Sequence, residues 1–118
     1  MNNITEIKQD EYEYKNKIFK VGDVITACTP GYHRIVGFFE LESDYPSLQG
    51  LIAPQVKYVT IINGKGNPLR GKKEKSCHIG YCAVVDHNYI DDLQKEDTKK
   101  VQDKCNALRK IINESSSN

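Results

Sequence analysis

VKYVTII at residues 56–62 and IGYCAVV at residues 79–85 are the two stretches that decide the fold of this chain. Between them lies the segment NGKGNPLRGKKEK, residues 63–75. β-Branched and aromatic residues favour strands, whereas the glycines and the proline of the middle segment interrupt regular structure. The pattern predicts a long β-hairpin with a cationic tip at residues 64–75, which we expect to be exposed and mobile.

The composition describes one small domain whose positive charge is concentrated in one place. The chain has 118 residues and a net charge of +1, enough for a single modest core. Six of the seven charged residues between positions 51 and 80 are basic. Lys outnumbers Arg fourteen to three, so the charges are mostly solvated ammonium groups that recognise bases and phosphates poorly.

The polar N-terminus and the cysteines indicate a cytoplasmic protein. No run is apolar enough for a transmembrane helix, and residues 1–16 resemble no secretory signal, so we expect them to form a loosely docked polar arm. Without export, free thiols are the better expectation than disulfides. Four cysteines are therefore predicted to be reduced and to bind no metal: Cys28, Cys77, Cys82 and Cys105.

Two further apolar runs complete the predicted sheet. Residues 18–28 and 34–41 read as strands joined by a Pro-Gly turn, which favours an antiparallel hairpin. The step KVGDVI at residues 20–25, followed by that hairpin, resembles the opening of SH3-like small barrels. We expect an α+β fold in which residues 17–113 form one domain, a small, curved, antiparallel barrel-like sheet followed by a C-terminal helix.

The C-terminal third has helical spacing. Val101, Cys105, Leu108 and Ile112 recur at intervals of three and four, which predicts one buried stripe on a helix at about residues 89–113. Asn88 is the expected cap, and Asp97 marks a kink or a second start with Thr98. Residues 114–118 are expected to be a disordered tail.

Three kinds of catalytic or metal site are each incomplete in this sequence. Residues 66–72 match the start of a phosphate-binding loop, but Lys73 stands where a magnesium-binding Ser or Thr belongs. Cys77 and Cys82 lie an odd number of residues apart on a presumed strand and should point to opposite faces, which argues against zinc. A Cys–His pair would have to combine Cys28 or Cys82 with His33, His78 or His87, and strand cysteines are usually inert. We therefore expect no enzyme, no cofactor and no metal.

Binding is the function class that remains. We expect a small module that engages a protein partner through exposed loops, above all residues 42–54, because long loops on rigid scaffolds carry recognition. The alternative is a nucleic-acid-binding barrel that uses the basic tip at residues 64–75. The candidate binding residues are Lys57, Tyr58, Lys65, Arg70, Lys72, Lys73, Lys75, Phe39 and Tyr45.

Overall fold

The computed structural model describes residues 3–42, 51–70 and 73–116. It is an α+β fold with a mostly antiparallel sheet and two helices, which confirms the predicted class at that level. In the larger sheet the neighbouring strands are, in order, Glu74–His78, Ile52–Ile62, Tyr32–Glu42, Val24–Thr26 and Ala83–Val84, and the strand Asn3–Ile7 also pairs with Tyr32–Glu42. The strands Glu11–Tyr14 and Lys17–Lys20 form a separate pair. No strand pairing closes this sheet into a barrel within the described residues.

The elements in chain order are β1 (Asn3–Ile7), β2 (Glu11–Tyr14), β3 (Lys17–Lys20), β4 (Val24–Thr26), β5 (Tyr32–Glu42), β6 (Ile52–Ile62), β7 (Glu74–His78), a 3-10 turn (Ile79–Tyr81), β8 (Ala83–Val84), α1 (His87–Gln94) and α2 (Lys99–Ser116).

Two eleven-residue strands, β5 and β6, form the centre of the sheet and pair along their whole length. The other side of β5 is shared, because β4 pairs near its beginning and β1 near its end. On β6, pairing with β7 begins only at Gln55. From there toward Ile52 the sheet is three strands wide, and we call this part, residues 3–5, 40–42 and 52–54, the three-strand end.

The N-terminal residues are paired strands, so the prediction of a loosely docked arm was wrong. β1 lies antiparallel on β5, and β2 pairs with β3 through a turn at Lys15 and Asn16, both of which have positive φ. The apolar content of residues 3–14 is thin, and the partner of β1 lies more than thirty residues away. A local pattern could not reveal that pairing.

One core cluster packs on one face of the sheet. Phe19, Phe38 and Tyr58 are its largest members, each 1% exposed. The cluster extends along the strand path from Cys77 of β7 to Ile25 of β4. Its remaining buried members are Ile35, Val56, Ile79 and Cys82.

A second core cluster lies between the sheet and the helices. Cys105 and Leu108 are fully buried there, and Val101 and Ile112 pack against the cluster half-buried, which confirms the predicted stripe. The sheet contributes Val24, Tyr32, Ile61 and Ile62, so the helices cover the part of β5 and β6 farthest from the three-strand end. No helix in the described part of the chain is long and apolar enough to cross a membrane.

The single long helix of the prediction is two helices. Asp86, not Asn88, caps α1 by accepting a hydrogen bond from the Tyr89 amide at 2.9 Å. Helix α1 ends at Gln94, and the second helix starts after Thr98, whose hydroxyl accepts a hydrogen bond from the Val101 amide at 3.3 Å. The second start anticipated at Thr98 is therefore present. Helix α2 continues to Ser116, into the segment predicted to be disordered.

The C-terminal half of the predicted hairpin also has a different structure from the prediction. Residues 74–78 form β7, whereas residues 79–85 contain a 3-10 turn and only the two-residue strand β8. The turn begins where His78 accepts a hydrogen bond from the Gly80 amide at 2.9 Å. This local bond competes with strand pairing and interrupts the strand, and β8 pairs with β4 instead of β6.

Candidate functional site

The three-strand end carries an aliphatic row on its outer face. Ile4, Leu41 and Ala53 are opposite one another in register across β1, β5 and β6. Residues directly opposite across antiparallel strands point to the same face. Ile4 is 63% exposed, whereas Leu41 and Ala53 are half-buried.

Phe39 lies two residues before Leu41, next to this row on the same face. It is opposite Glu6 on β1 and is half-buried. The Lys57 ammonium lies 5.9 Å from the Phe39 ring centroid and forms an ion pair with the Glu6 carboxylate. The pairing neutralises Lys57, a residue predicted to bind a partner. The outer face is therefore aliphatic and aromatic with its charges balanced.

Two more aliphatic side chains extend this end of the sheet. Leu51 is 59% exposed and Ile52 58% exposed, at the start of β6. The nearby Glu40 accepts a hydrogen bond from the Tyr12 hydroxyl at 3.1 Å, so the β2–β3 pair contacts the opposite face. Exposed aliphatic residues of this size concentrated in one place are typical of a contact surface.

The predicted binding residues are not brought together in one site. Tyr58 is 1% exposed in the core, and its hydroxyl lies 2.8 Å from the Thr29 hydroxyl, so its ring is not available to stack on a ligand. Lys75 is half-buried on β7, opposite Tyr58. Tyr45 and Lys72 lie outside the described residues. Only Lys65, Arg70 and Lys73 are exposed as predicted.

The basic tip begins as an ordered turn. The Asn63 side chain accepts hydrogen bonds from the amides of Lys65 at 3.0 Å and Asn67 at 2.9 Å. Gly66 has φ +87°, and the Leu69 amide donates to the Ile61 carbonyl at 2.8 Å. Residues 64–70 are exposed as predicted, but the predicted connection to residue 75 ends earlier, because β7 starts at Glu74. A strand in place of a helix also argues against a phosphate-binding loop.

A cleft of about 570 Å³ runs between the β3–β4 turn and the start of α1. Burial raises the pKa of the Asp23 carboxyl there, and Asp23 accepts a hydrogen bond from the Lys20 amide at 2.9 Å. Asp86 is occupied as the cap of α1. Both carboxylates therefore have structural roles.

The buried histidine is part of the sheet core. His33 is fully buried, with Nδ1 3.0 Å from the Thr60 hydroxyl and Nε2 3.0 Å from the Thr29 carbonyl oxygen. The carbonyl can only accept, so Nε2 carries the proton and Nδ1 accepts from Thr60. Burial lowers the pKa of His33. Both ring nitrogens are satisfied, which leaves none for a nucleophilic cysteine.

Cys77 and Cys82 meet, although the sequence predicted that they point to opposite faces. Their Sγ atoms are 3.6 Å apart, and both residues are buried. The prediction failed because it assumed one continuous strand, whereas the 3-10 turn begins between them at Ile79. Among residues 3–42, 51–70 and 73–116, no group of three or more His, Cys, Asp or Glu side chains is arranged to hold a metal ion.

Comparison with protein-family models, with curated proteins and with solved structures finds no match for this chain. Sequence reasoning missed the role of β1, because Ile4 and Ile7 are three residues apart, a spacing typical of a helix face and not of a strand. It also missed the contact between the two thiols, for which Gly80 was the available signal of a turn.

Proposed function

We propose that this protein is a small, non-enzymatic binding module that engages a protein partner through the three-strand end. The observation that carries the proposal is the concentration of Ile4, Leu51 and Ile52, each more than half exposed, at one end of the sheet. Leu41 and Phe39 lie on the same face as Ile4, whereas Ile52 is opposite Glu42 and points to the other face of this end. Aromatic and aliphatic anchors of this kind supply most of the binding energy of protein interfaces.

The outer edge of β1 supports binding by addition of an extended partner segment to the sheet. β1 pairs only with β5 in the described part of the chain, so its outer edge has no neighbouring strand there. An extended partner segment can add to such an edge through main-chain hydrogen bonds, while its side chains contact the aliphatic row. We infer a partner with an extended, apolar segment.

The charge distribution favours a protein over a nucleic acid at this surface. Glu6 neutralises Lys57, and Glu40 adds negative charge nearby. A phosphate backbone requires several unpaired cations. The exposed cations Lys65 and Arg70 follow the opposite end of β6, next to Ile62. A nucleic-acid site on that turn is the alternative function, and it would be separate from the three-strand end.

We also propose that the sheet is an SH3-like barrel. Its strand path β7-β6-β5-β4-β8 begins and ends with strands joined only by residues 79–82. The outer strands of a flat five-strand path would lie roughly 19 Å apart. A three-residue 3-10 turn rises only about 6 Å, so the sheet must curl to bring its edges together. The contact of Cys77 with Cys82 supports that curvature.

The same proposal places the module in the cytoplasm and assigns it no cofactor. All four cysteines are free thiols, which suits a reducing compartment. The charged groups of the cleft and of the core are occupied by structural hydrogen bonds. This arrangement supports binding better than catalysis.

A paired set of surface variants tests the proposed function. Ile4→Ser with Ile52→Ser should abolish capture of a protein partner from a lysate of the source cells, with and without nuclease. Ile18→Ser with Leu69→Ser is the control, because these side chains are 53% and 47% exposed away from the three-strand end. The control should retain capture, and both variants should melt like the wild type. Capture that nuclease destroys, or that both pairs of substitutions leave intact, would contradict the proposal.

A further inference from the structure

Cys77 and Cys82 form a buried dithiol at the junction of β7 and β8. Their Sγ atoms are 3.6 Å apart. Between them the chain forms the 3-10 turn, in which the Cys82 amide donates to the Ile79 carbonyl at 3.0 Å. A disulfide needs the two sulfurs at about 2.05 Å, so rotation of the side chains can close the remaining distance without separating the strands.

The surroundings of the pair activate one of its sulfurs. Hydrogen bonding from the Cys82 thiol lowers the pKa of Cys77 to about 6, and hydrogen bonds from Cys28, which is exposed, act in the same direction. The pKa of Cys82 is raised, because its thiol donates to Cys77 and because it is buried. Cys77 is therefore the thiol of the pair that ionises more readily. A thiolate is the reactive form of cysteine.

A small cavity reaches the Cys82 side of the dithiol. It has a volume of about 150 Å³, lies between the β2–β3 pair and the 3-10 turn, and is bordered by Cys82, Lys15 and Lys17. Cys105 lies in a different environment. It is fully buried under the helices, and its thiol points to the Ile90 carbonyl at 3.8 Å.

We propose that Cys77 and Cys82 are a redox-active dithiol that hydrogen peroxide converts into a reversible intramolecular disulfide. The Cys77 thiolate attacks one peroxide oxygen, the O–O bond breaks, and with one proton the products are a sulfenic acid and water. The Cys82 sulfur then attacks the sulfenic sulfur, the S–O bond breaks, and the second water leaves with the Cys82 proton. The two sulfurs are oxidised and the peroxide is reduced. An external dithiol restores both thiols by exchange.

The sequence allows a direct test by mass spectrometry. Cleavage after Lys75 and Lys95 releases residues 76–95, which contain both cysteines, whereas Cys28 and Cys105 fall on other tryptic peptides. The folded full-length protein is treated with hydrogen peroxide at one equivalent, then alkylated under denaturing conditions and digested. The 76–95 peptide should lose two hydrogen atoms and resist alkylation, and dithiothreitol should reverse both changes.

Two variants identify the cysteines that form the disulfide. Cys28→Ser should still form the disulfide in peptide 76–95, because Cys28 supplies neither sulfur of that bond. Cys82→Ser should abolish it and leave a sulfenic acid on Cys77 that dimedone traps. Full alkylation of the treated wild type would overturn the proposal. So would a cross-link between peptide 76–95 and the Cys28 peptide as the main wild-type product, or a disulfide between two chains.

Discussion

His33 lies at the centre of the sheet with both ring nitrogens in hydrogen bonds and its side chain fully buried. Its ring centroid is 4.5 Å from that of Tyr58, whose hydroxyl bonds to Thr29. The four residues His33, Thr60, Tyr58 and Thr29 form a polar network inside an otherwise apolar core. Protonation of the ring would break this network, since Nδ1 accepts the Thr60 hydrogen bond.

Acid should therefore destabilise the fold through His33. Burial lowers the pKa of His33 below the usual 6.5. Below about pH 6.5 this residue therefore binds a proton more readily in the unfolded chain than in the folded chain. The free energy of unfolding should fall between pH 6.5 and 5, by at most about 1.4 kcal/mol per pH unit from this group. Urea denaturation across that range measures the slope.

The variant His33→Gln should flatten this slope, whatever its own stability. His87→Gln is the control, because His87 is exposed at the start of α1. Equal slopes for His33→Gln and the wild type would show that the buried ring does not govern the acid response.

At the scale of elements, α1 and α2 are held together and against the sheet by different forces. Gln102 donates to the Gln94 carbonyl at 3.1 Å and bridges the break between the helices. Arg109 reaches back to Asp91 at 3.0 Å, but this pair is partly exposed and contributes little. The buried stripe of α2 in the second core cluster supplies the main attachment to the sheet.

Truncating that stripe should destabilise the whole fold. Leu108 is fully buried among residues of the sheet and of both helices, so Leu108→Ala should cost about 2–5 kcal/mol through lost burial and the cavity left behind. Asn106→Ala, on the exposed side of α2, should change the free energy of unfolding by less than about 0.5 kcal/mol. Coincident melting curves for Leu108→Ala and the wild type would mean that the helix contributes nothing to the core.

At the scale of the whole molecule, apolar and cationic surfaces lie at different ends of β6. The three-strand end presents Ile4 and Ile52, whereas the exposed cations Lys65, Arg70 and Lys73 lie beyond or near Ile62. A net charge of +1 places no strong field over the rest of the chain. One protein can thus be tested for two kinds of partner with substitutions that do not interfere.

Replacing the exposed cations separates these two functions. Lys65→Gln, Arg70→Gln and Lys73→Gln together should leave the melting temperature nearly unchanged, because exposed charges contribute little to stability. The same variant should elute from a heparin column at lower salt, while its capture of the protein partner stays equal to that of the wild type. Partner capture that disappears in this variant would move the site to the basic turn.

The sequence by itself determined the elements whose signals are local. The apolar runs of β5 and β6, the helical stripe around Leu108 and the second start at Thr98 all follow from periodicity or capping within a few residues. Such signals act over one or two turns of chain, so no partner needs to be known. They suffice for the α+β class.

Only the tertiary structure decided which surfaces face outward and which groups meet. β1 is a strand because β5 offers it an edge more than thirty residues away, and Tyr58 is buried because its face of the sheet packs into the first core cluster. Cys77 reaches Cys82 because the Gly80 amide bonds to His78 and turns the chain. Each outcome depends on contacts between distant segments, whose energies a local pattern does not contain.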